Sequence, residues 1–270
     1  MKNLLRRGLP VLLLALACVY TYRLELSETH TYPAAGINTL SAATQNGGIT
    51  VASVSDTVIT VYLTKYAYGN DSADAANAIT SIVYSDAVVG SELQVKADMP
   101  SGPRPYGANL DITVPANTGL ALATTNGAIS VANTVGDLSA STTNGAIELV
   151  GTGGAASLST TNGAIDVKVH HGGVEGSTTN GAVDCDVAEL GTTEGVTLGT
   201  SNGAVTLLLP ADVSATIDAT NTNSSITIVD FTNVTYEVQR QHHVRARIGS
   251  GAASVTITTT NGAITVRARS

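Results

Sequence analysis

Tryptophan is missing from this 270-residue chain, and phenylalanine occurs once. A globule of this length ordinarily fills its core with large aromatics. A core restricted to Ala, Val, Ile and Leu suits narrow stacked layers instead. Charge is also sparse, at 13% of residues, and its balance is acidic, with a formal net charge of -8. Nucleic acids and anionic membranes are recognised by clustered Lys and Arg, so neither is the expected partner. The basic residues are mostly terminal, with Arg240, Arg245, Arg247, Arg267 and Arg269 forming a solvated cap near the C-terminus. Two cysteines, Cys18 and Cys185, cannot supply a disulfide framework. The apolar run from Leu9 to Ala17 falls short of the ~20 residues that span a bilayer.

What the chain has in quantity is one phrase. Asn-Gly recurs at Asn126, Asn144, Asn162 and Asn180 with a constant step of 18 residues, then at Asn202 after a step of 22, and again at Asn261. The regular copies read Thr-Thr-Asn-Gly-Ala followed by Ile or Val, and Gln45-Asn46-Gly47-Gly48-Ile49 is a divergent early copy. Apolar residues alternate strictly after each turn, as in Ile129/Val131, Ile147/Leu149, Ile165/Val167 and Val205/Leu207, and a second alternating strand precedes it. Period two with β-branched residues on one face means half-buried strands. A hairpin meander would alternate too, but it gives no reason for the same phrase at the same offset. Stacking does, because equivalent residues then lie ~4.8 Å apart on successive coils. The expected fold is all-β: a single-chain right-handed β-helix, or β-solenoid, with coils of about 18–22 residues. Ladders of Asn126, Asn144, Asn162, Asn180, Asn202 and Asn261 are expected to run along it, turned inward.

Before the regular coils the pattern loosens. Ile49–Val51, Val58–Leu63, Leu93–Val95 and Leu110–Val114 alternate like strands, whereas Ser72 to Ile79 is Ala-rich with an N-cap and an acidic first turn. A short helix there would plug the end of the solenoid. At the N-terminus, Lys2, Arg6 and Arg7 precede the short apolar run, which ends Leu14-Ala15-Leu16-Ala17-Cys18. That is the layout of a secretory signal, and Cys18 resembles the lipidated residue of a lipobox. The chain accordingly divides into a signal peptide (1–17), a lipidated Cys18 with a tether (18–34), an irregular β region with the helix (35–118) and regular coils (119–270), the last two continuous. The partner expected at this end is a membrane, reached through the lipid.

The run Ala108-Asn109-Leu110-Asp111-Ile112-Thr113-Val114-Pro115, the serial Thr-x-Asn-Gly-x-Ile phrases and the closing Thr259-Thr260-Asn261-Gly262-Ala263-Ile264 resemble the bacterial "putative adhesin" family of unknown function. The likeness covers about residues 35 to 268 and implies a cell-envelope β-helix, with no catalytic motif to transfer.

Candidate sites are few. Glu148, Asp166 and Asp184 share one outward offset on three successive repeats, an acidic column for which calcium is the fitting ion, with Lys168 beside it as a neutralising alternative. Cys185 takes an offset otherwise held by Val131, Leu149 and Val167, and reads as a buried apolar filler. The His170-His171 and His242-His243 pairs read as surface residues. A glycosidase site would need grouped carboxylates and stacking aromatics, yet Trp is missing and the Tyr residues fall mainly before residue 107. The expected function is non-enzymatic and cofactor-free: an exported, membrane-anchored adhesin-like or structural protein with a surface, glycan or protein partner. A cation- or glycan-binding module and an envelope-stress sensor are the alternatives.

Overall fold

The computed structural model describes residues 20–54 and 57–269. The expected signal segment and Cys18 lie outside the described residues. The strands in chain order are β1 (Tyr22–Pro33), β2 (Thr39–Ala43), β3 (Ile49–Ser53), β4 (Val58–Gly69), β5 (Val83–Val89), β6 (Glu92–Asp98), β7 (Tyr106–Val114), β8 (Gly119–Ala123), β9 (Ile129–Ala132), β10 (Leu138–Thr142), β11 (Ile147–Val150) and β12 (Ala156–Thr160). They continue as β13 (Ile165–His171), β14 (Val174–Thr178), β15 (Val183–Glu189), β16 (Gly195–Thr200), β17 (Val205–Leu209), β18 (Ala215–Asn221), β19 (Ile226–Val229), β20 (Val234–Arg240), β21 (His243–Ile248), β22 (Ala253–Thr259) and β23 (Ile264–Ala268). One helix, α1 (Ser72–Ile79), follows β4.

These strands form two long, largely parallel sheets of 11 and 12 strands, each coil giving one strand to each sheet. Register is in phase throughout: Ile147 pairs with Ile129 on one side and Ile165 on the other, and Ala140 with Leu122 and Leu158. The inward members of each strand are buried between the sheets, and the acids and hydroxyls between them face out. An all-β stacked solenoid with one short helix is therefore present.

The corner made by Thr-Thr-Asn-Gly explains the repeat. Neither Asn nor Gly of this phrase takes a positive φ, so conformational freedom is not the reason for glycine. Proximity is. A Cβ on Gly145 would run into the carbonyl of Gly127 one coil below, and the same holds for Gly163 over Gly145, Gly181 over Gly163, Gly203 over Gly181 and Gly262 over Gly203. The crowded carbonyl is also kept satisfied. The first Thr of each phrase is buried and donates its hydroxyl to it: Thr142 to Gly127, Thr160 to Gly145, Thr178 to Gly163, Thr200 to Gly181 and Thr259 to Gly203, all at 2.9–3.0 Å.

The strand ends at this Thr, so alternation stops there and Asn, two places on, lies on the corner and faces away from the core. The asparagine amides do form a ladder, each Nδ2 donating to the Oδ1 of the coil below at 2.6–2.9 Å, but they lie exposed at the corner. The expectation of an inward ladder is corrected. Threonine fills that role, because it is the last residue of the strand and is still in phase with its buried members, as Thr142 is with Leu138 and Ala140.

Coil order departs from chain order at both ends. The coil β2/β3 is second in the stack, with β6/β7 outside it. At the other end β22/β23, last in sequence, is wedged between β16/β17 and β18/β19. The long step from Asn202 to Asn261 is thus a single rung, 2.8 Å in length. Asn223 of the outermost coil continues the ladder by donating to Asn261 at 2.7 Å. Its corner has Asn221 and Ser224 where the others have Thr and Gly, so the phrase was not visible there.

Both ends carry antiparallel additions. At the proximal end β4 pairs with β7, and β1 with β4 over its whole length, from Tyr22 against Gly69 to Pro33 against Val58. Residues 22–33 are therefore a strand of the sheet, not part of a tether. Helix α1 crosses this end from β4 to β5, burying Ala75, Ala78 and Ile79, with Asp71 as its N-cap accepting from the Asp74 amide at 2.8 Å. At the distal end β21 and β20 extend only one of the two sheets.

The corner predicts a ranking. Gly145→Ala should cost about 3 kcal/mol or more by forcing two coils apart. Thr142→Val should cost about 1–3 kcal/mol by orphaning a buried carbonyl, and Asn144→Ala less than about 1 kcal/mol because water replaces the exposed rung. Urea unfolding of the three variants checks it; an asparagine variant weaker than the glycine variant would contradict the assignment.

Candidate functional site

The acidic column is in register: Glu148 is paired with Asp166, and Asp166 with Asp184, on the outer face. Like charges at this spacing repel unless neutralised. Lys168 does so directly, its Nζ lying 2.7 Å from Glu148 and 2.8 Å from Asp166. Hydrogen bonds to Asp166, then to Glu148, hold the ammonium well above the usual lysine range. Among the described residues no group of three or more His, Cys, Asp or Glu is arranged to hold a metal ion. A calcium ion at Glu148, Asp166 and Asp184 would have to displace the Lys168 bridge.

The remaining sequence-selected groups fall into structural positions. Cys185 is 1% exposed, and burial pushes its thiol up to about 12, which makes it a core filler. Arg245 bridges Glu237 and Asp218, Arg267 pairs with Asp230, and Arg269 with Asp186. His171 is exposed, but His170 is buried, contrary to the surface reading of the pair. The cause is a bulge in β13. Asn133, Gly151 and Val169 occupy the same corner offset with φ of 58°, 61° and 55°, and at Val169 the register shifts so that His170 turns inward. A β-branched residue at positive φ is strained, and the inward imidazole compensates through two bonds. Its Nε2 donates to the Gly154 carbonyl at 3.0 Å, leaving Nδ1 to accept from the Thr152 hydroxyl at 2.9 Å.

A site that sequence reading passed over lies at the proximal end of the ladder. Tyr20, Tyr66, Tyr68 and Tyr106 line a groove of about 740 Å³. Pro103, Pro105, Asn46 and Asn126 complete its lining. Four of the chain's nine tyrosines meet here. The antiparallel pairing of β4 with β7 and β1 brings them together. The backbone bonds from Gly47 to Asn126 and from Ala108 to Asn46 show that Gly107 occupies the ladder offset in the outermost proximal coil. Without a side chain there, the Tyr66 ring occupies the space that a Cβ on Gly107 would fill. Tyr68 stands edge-on to Tyr66, at 6.4 Å between centroids. The Arg23 guanidinium lies 4.7 Å from the Tyr66 centroid, and that of Arg104 is 4.8 Å from Tyr20. Each is paired with a carboxylate, Arg23 with Glu25 at 2.6 Å and Arg104 with Asp74 at 2.8 Å.

His170 generates a pH prediction. Burial, the largest influence, lowers its pKa from 6.5, so the folded state resists a proton that the unfolded chain accepts. Its contribution to stability is complete above about pH 6.5 and is lost as pH falls below that value. Melting temperature should therefore decline between about pH 6.5 and pH 5 in the wild type, with a flatter course in His170→Gln; equal slopes would contradict the assignment.

Similarity to known proteins was found at the level of family. No curated protein matches the chain. Among solved structures, a "putative cell adhesion protein" from Clostridium sporogenes is 13% identical with a TM-score of 0.40, covering 91% of this chain and 100% of that one. A "putative adhesin" from Bacteroides fragilis is 15% identical with a TM-score of 0.44, covering 90% and 97%. A "putative lipid binding protein" from Parabacteroides distasonis is 10% identical with a TM-score of 0.38, covering 88% and 96%. The model of one family of unknown function matches residues 31–267, nearly the whole described solenoid, and the chain belongs to that family, Toastrack DUF4097.

Proposed function

We propose that this protein is a non-enzymatic, exported solenoid of the cell envelope with an adhesin-like role, tethered to a membrane through lipid on Cys18. The observation that carries this reading is the unbroken stack. Nine coils, from β6/β7 to β18/β19, share two sheets without interruption, which at ~4.8 Å per coil makes a stiff body about 40 Å long. Its long faces present Ser, Thr and Asn, and each end carries its own additions. Such a body holds a binding surface at a fixed distance and needs no moving part. The connections between successive parallel strands of one sheet run through the other, and we read them as right-handed, the hand that ~98% of such crossovers adopt. Among the described residues no helix is long and apolar enough to cross a membrane, so a lipid on Cys18 would supply attachment.

Metabolic labelling with palmitate, followed by membrane fractionation, tests the tether. Wild type should be labelled and sediment with membranes, and Cys18→Ala should lose both properties; labelling that persists in the variant would refute lipidation at Cys18. For the adhesive role, cells expressing the wild type should be retained on a confluent host-cell or biofilm layer several-fold more than cells expressing Cys18→Ala. Equal retention would contradict it.

A further inference from the structure

From the tyrosine groove and the ladder that ends in it, we infer that the proximal end of the solenoid is a binding site for a neutral oligosaccharide. The inference rests on the adhesin-like reading and names the class of ligand that such a surface would hold.

Direction in the ladder is the first argument. Every amide donates toward the proximal end: Asn223 to Asn261, Asn261 to Asn202, Asn202 to Asn180, and so on to Asn126, which donates to Asn46. The chain of donors then stops. The next offset is Gly107, which has no amide, so the Asn46 Nδ2 group has no acceptor of its own among the described residues. Hydrogen-bonded amides in series polarise one another, making the terminal N–H the strongest donor of the set. Asn46 itself lines the tyrosine groove, and the Tyr66 hydroxyl donates to its backbone carbonyl at 3.4 Å.

Charge is the second argument. Two guanidinium groups lie over tyrosines of the groove, yet Glu25 and Asp74 compensate both. An anionic glycan, a nucleic acid or a phosphate would gain little there and would have to break those pairs. Aromatic rings, amides and compensated arginine–carboxylate pairs instead suit a ligand with apolar ring faces and many hydroxyls.

Spacing decides between the two neutral candidates. A proline-rich peptide also docks on aromatic grooves, but it rises ~3.1 Å per residue and its prolines offer no donor. The ladder leading out of the groove repeats every ~4.8 Å. Each amide there spends one of two Nδ2 hydrogens and one of two Oδ1 lone pairs on its neighbours, leaving a donor and an acceptor outward at every rung. A ligand rich in both donors and acceptors along its length uses that array; a polyproline helix does not. The sugar would stack on Tyr66 and Tyr68, take the Asn46 donor on a ring or hydroxyl oxygen, and extend along the rungs.

Tyrosine emission of the full chain, which has no tryptophan to mask it, is the readout. The probes are the neutral hexasaccharides of β-1,4-glucose, β-1,4-N-acetylglucosamine and α-mannose, with a galacturonate hexamer and a proline decapeptide as comparisons. At least one neutral hexamer should bind saturably below millimolar concentration. Asn46→Asp, which keeps the acceptor for Asn126 but removes the terminal donor, should weaken that binding about tenfold, and Tyr68→Ala should weaken it at least as much, each with an unchanged melting temperature. The inference falls if no neutral hexamer binds, if Asn46→Asp binds equally well, or if only the charged or proline probe binds. Failure here with surface retention intact would leave the adhesin-like role standing on another face; loss of retention in Asn46→Asp with the lipid tether intact would support both.

Discussion

A carbonyl oxygen with no room above it governs this fold. At each Asn-Gly corner the backbone of one coil rests so closely on the glycine carbonyl below that a single Cβ would part them. Glycine is thus required by contact, not by φ, and it recurs because the contact recurs. A carbonyl so enclosed cannot keep its water, and the buried threonine of the next coil replaces it. Register follows, since a slip of one residue would present a side chain to the carbonyl and turn the threonine outward. The valine, isoleucine and leucine columns of the core then stack like on like, and two sheets without a large aromatic between them close over the interior.

Identical corners have a second consequence: any coil can stack on any other. The chain uses this at both ends, placing its first coil second and its last coil next to last. Segments that would otherwise fray are held between neighbours on both sides, and the outermost positions go to coils with modified corners. Gly107 with Tyr66 ends the stack proximally, Asn221 with Ser224 distally. An open parallel edge invites pairing with another chain. The long β4 and β1 strands and helix α1 cover it on one side, and the β20–β21 hairpin covers one sheet on the other.

The sequence made the repeat, the alternation and α1 legible because each is local or periodic: a period-two pattern needs five residues, and the Ala-rich run from Ser72 with its acidic first turn marks a helix start by itself. Coil order was not legible, since a phrase that fits every neighbour names none. The inward threonines sat in the same phrase as the asparagines, and alternation alone gives Thr142 and Asn144 the same side; what separates them is that the strand ends at Thr142, leaving Asn144 on the corner, turned out. In β1, Leu24 and Leu26 alternate with Arg23 and Glu25, a strand signal overshadowed by the resemblance of Cys18 to a lipidation site. The tyrosine groove left no periodic trace at all. Its parts come from residue 20, the 40s, the 60s, residues 103 to 106 and Asn126, and the antiparallel pairing at the stack's end is what adds the tyrosines to the ladder.

Stacking by interchangeable corners, with the last coil inserted between two earlier ones, is the central claim, and disulfide trapping tests it most directly. Gly199, Thr258 and Thr220 share one row of the outer face, with Thr258 in the middle. Neighbouring strands bring Cα atoms within the range a disulfide can bridge, whereas strands two apart lie at about 9.6 Å, beyond it. Gly199→Cys with Thr258→Cys, and Thr258→Cys with Thr220→Cys, should both cross-link on mild oxidation, and Gly199→Cys with Thr220→Cys should not. Efficient cross-linking of that last pair would mean that the coils follow chain order, and the account of the corner as a universal joint would be wrong.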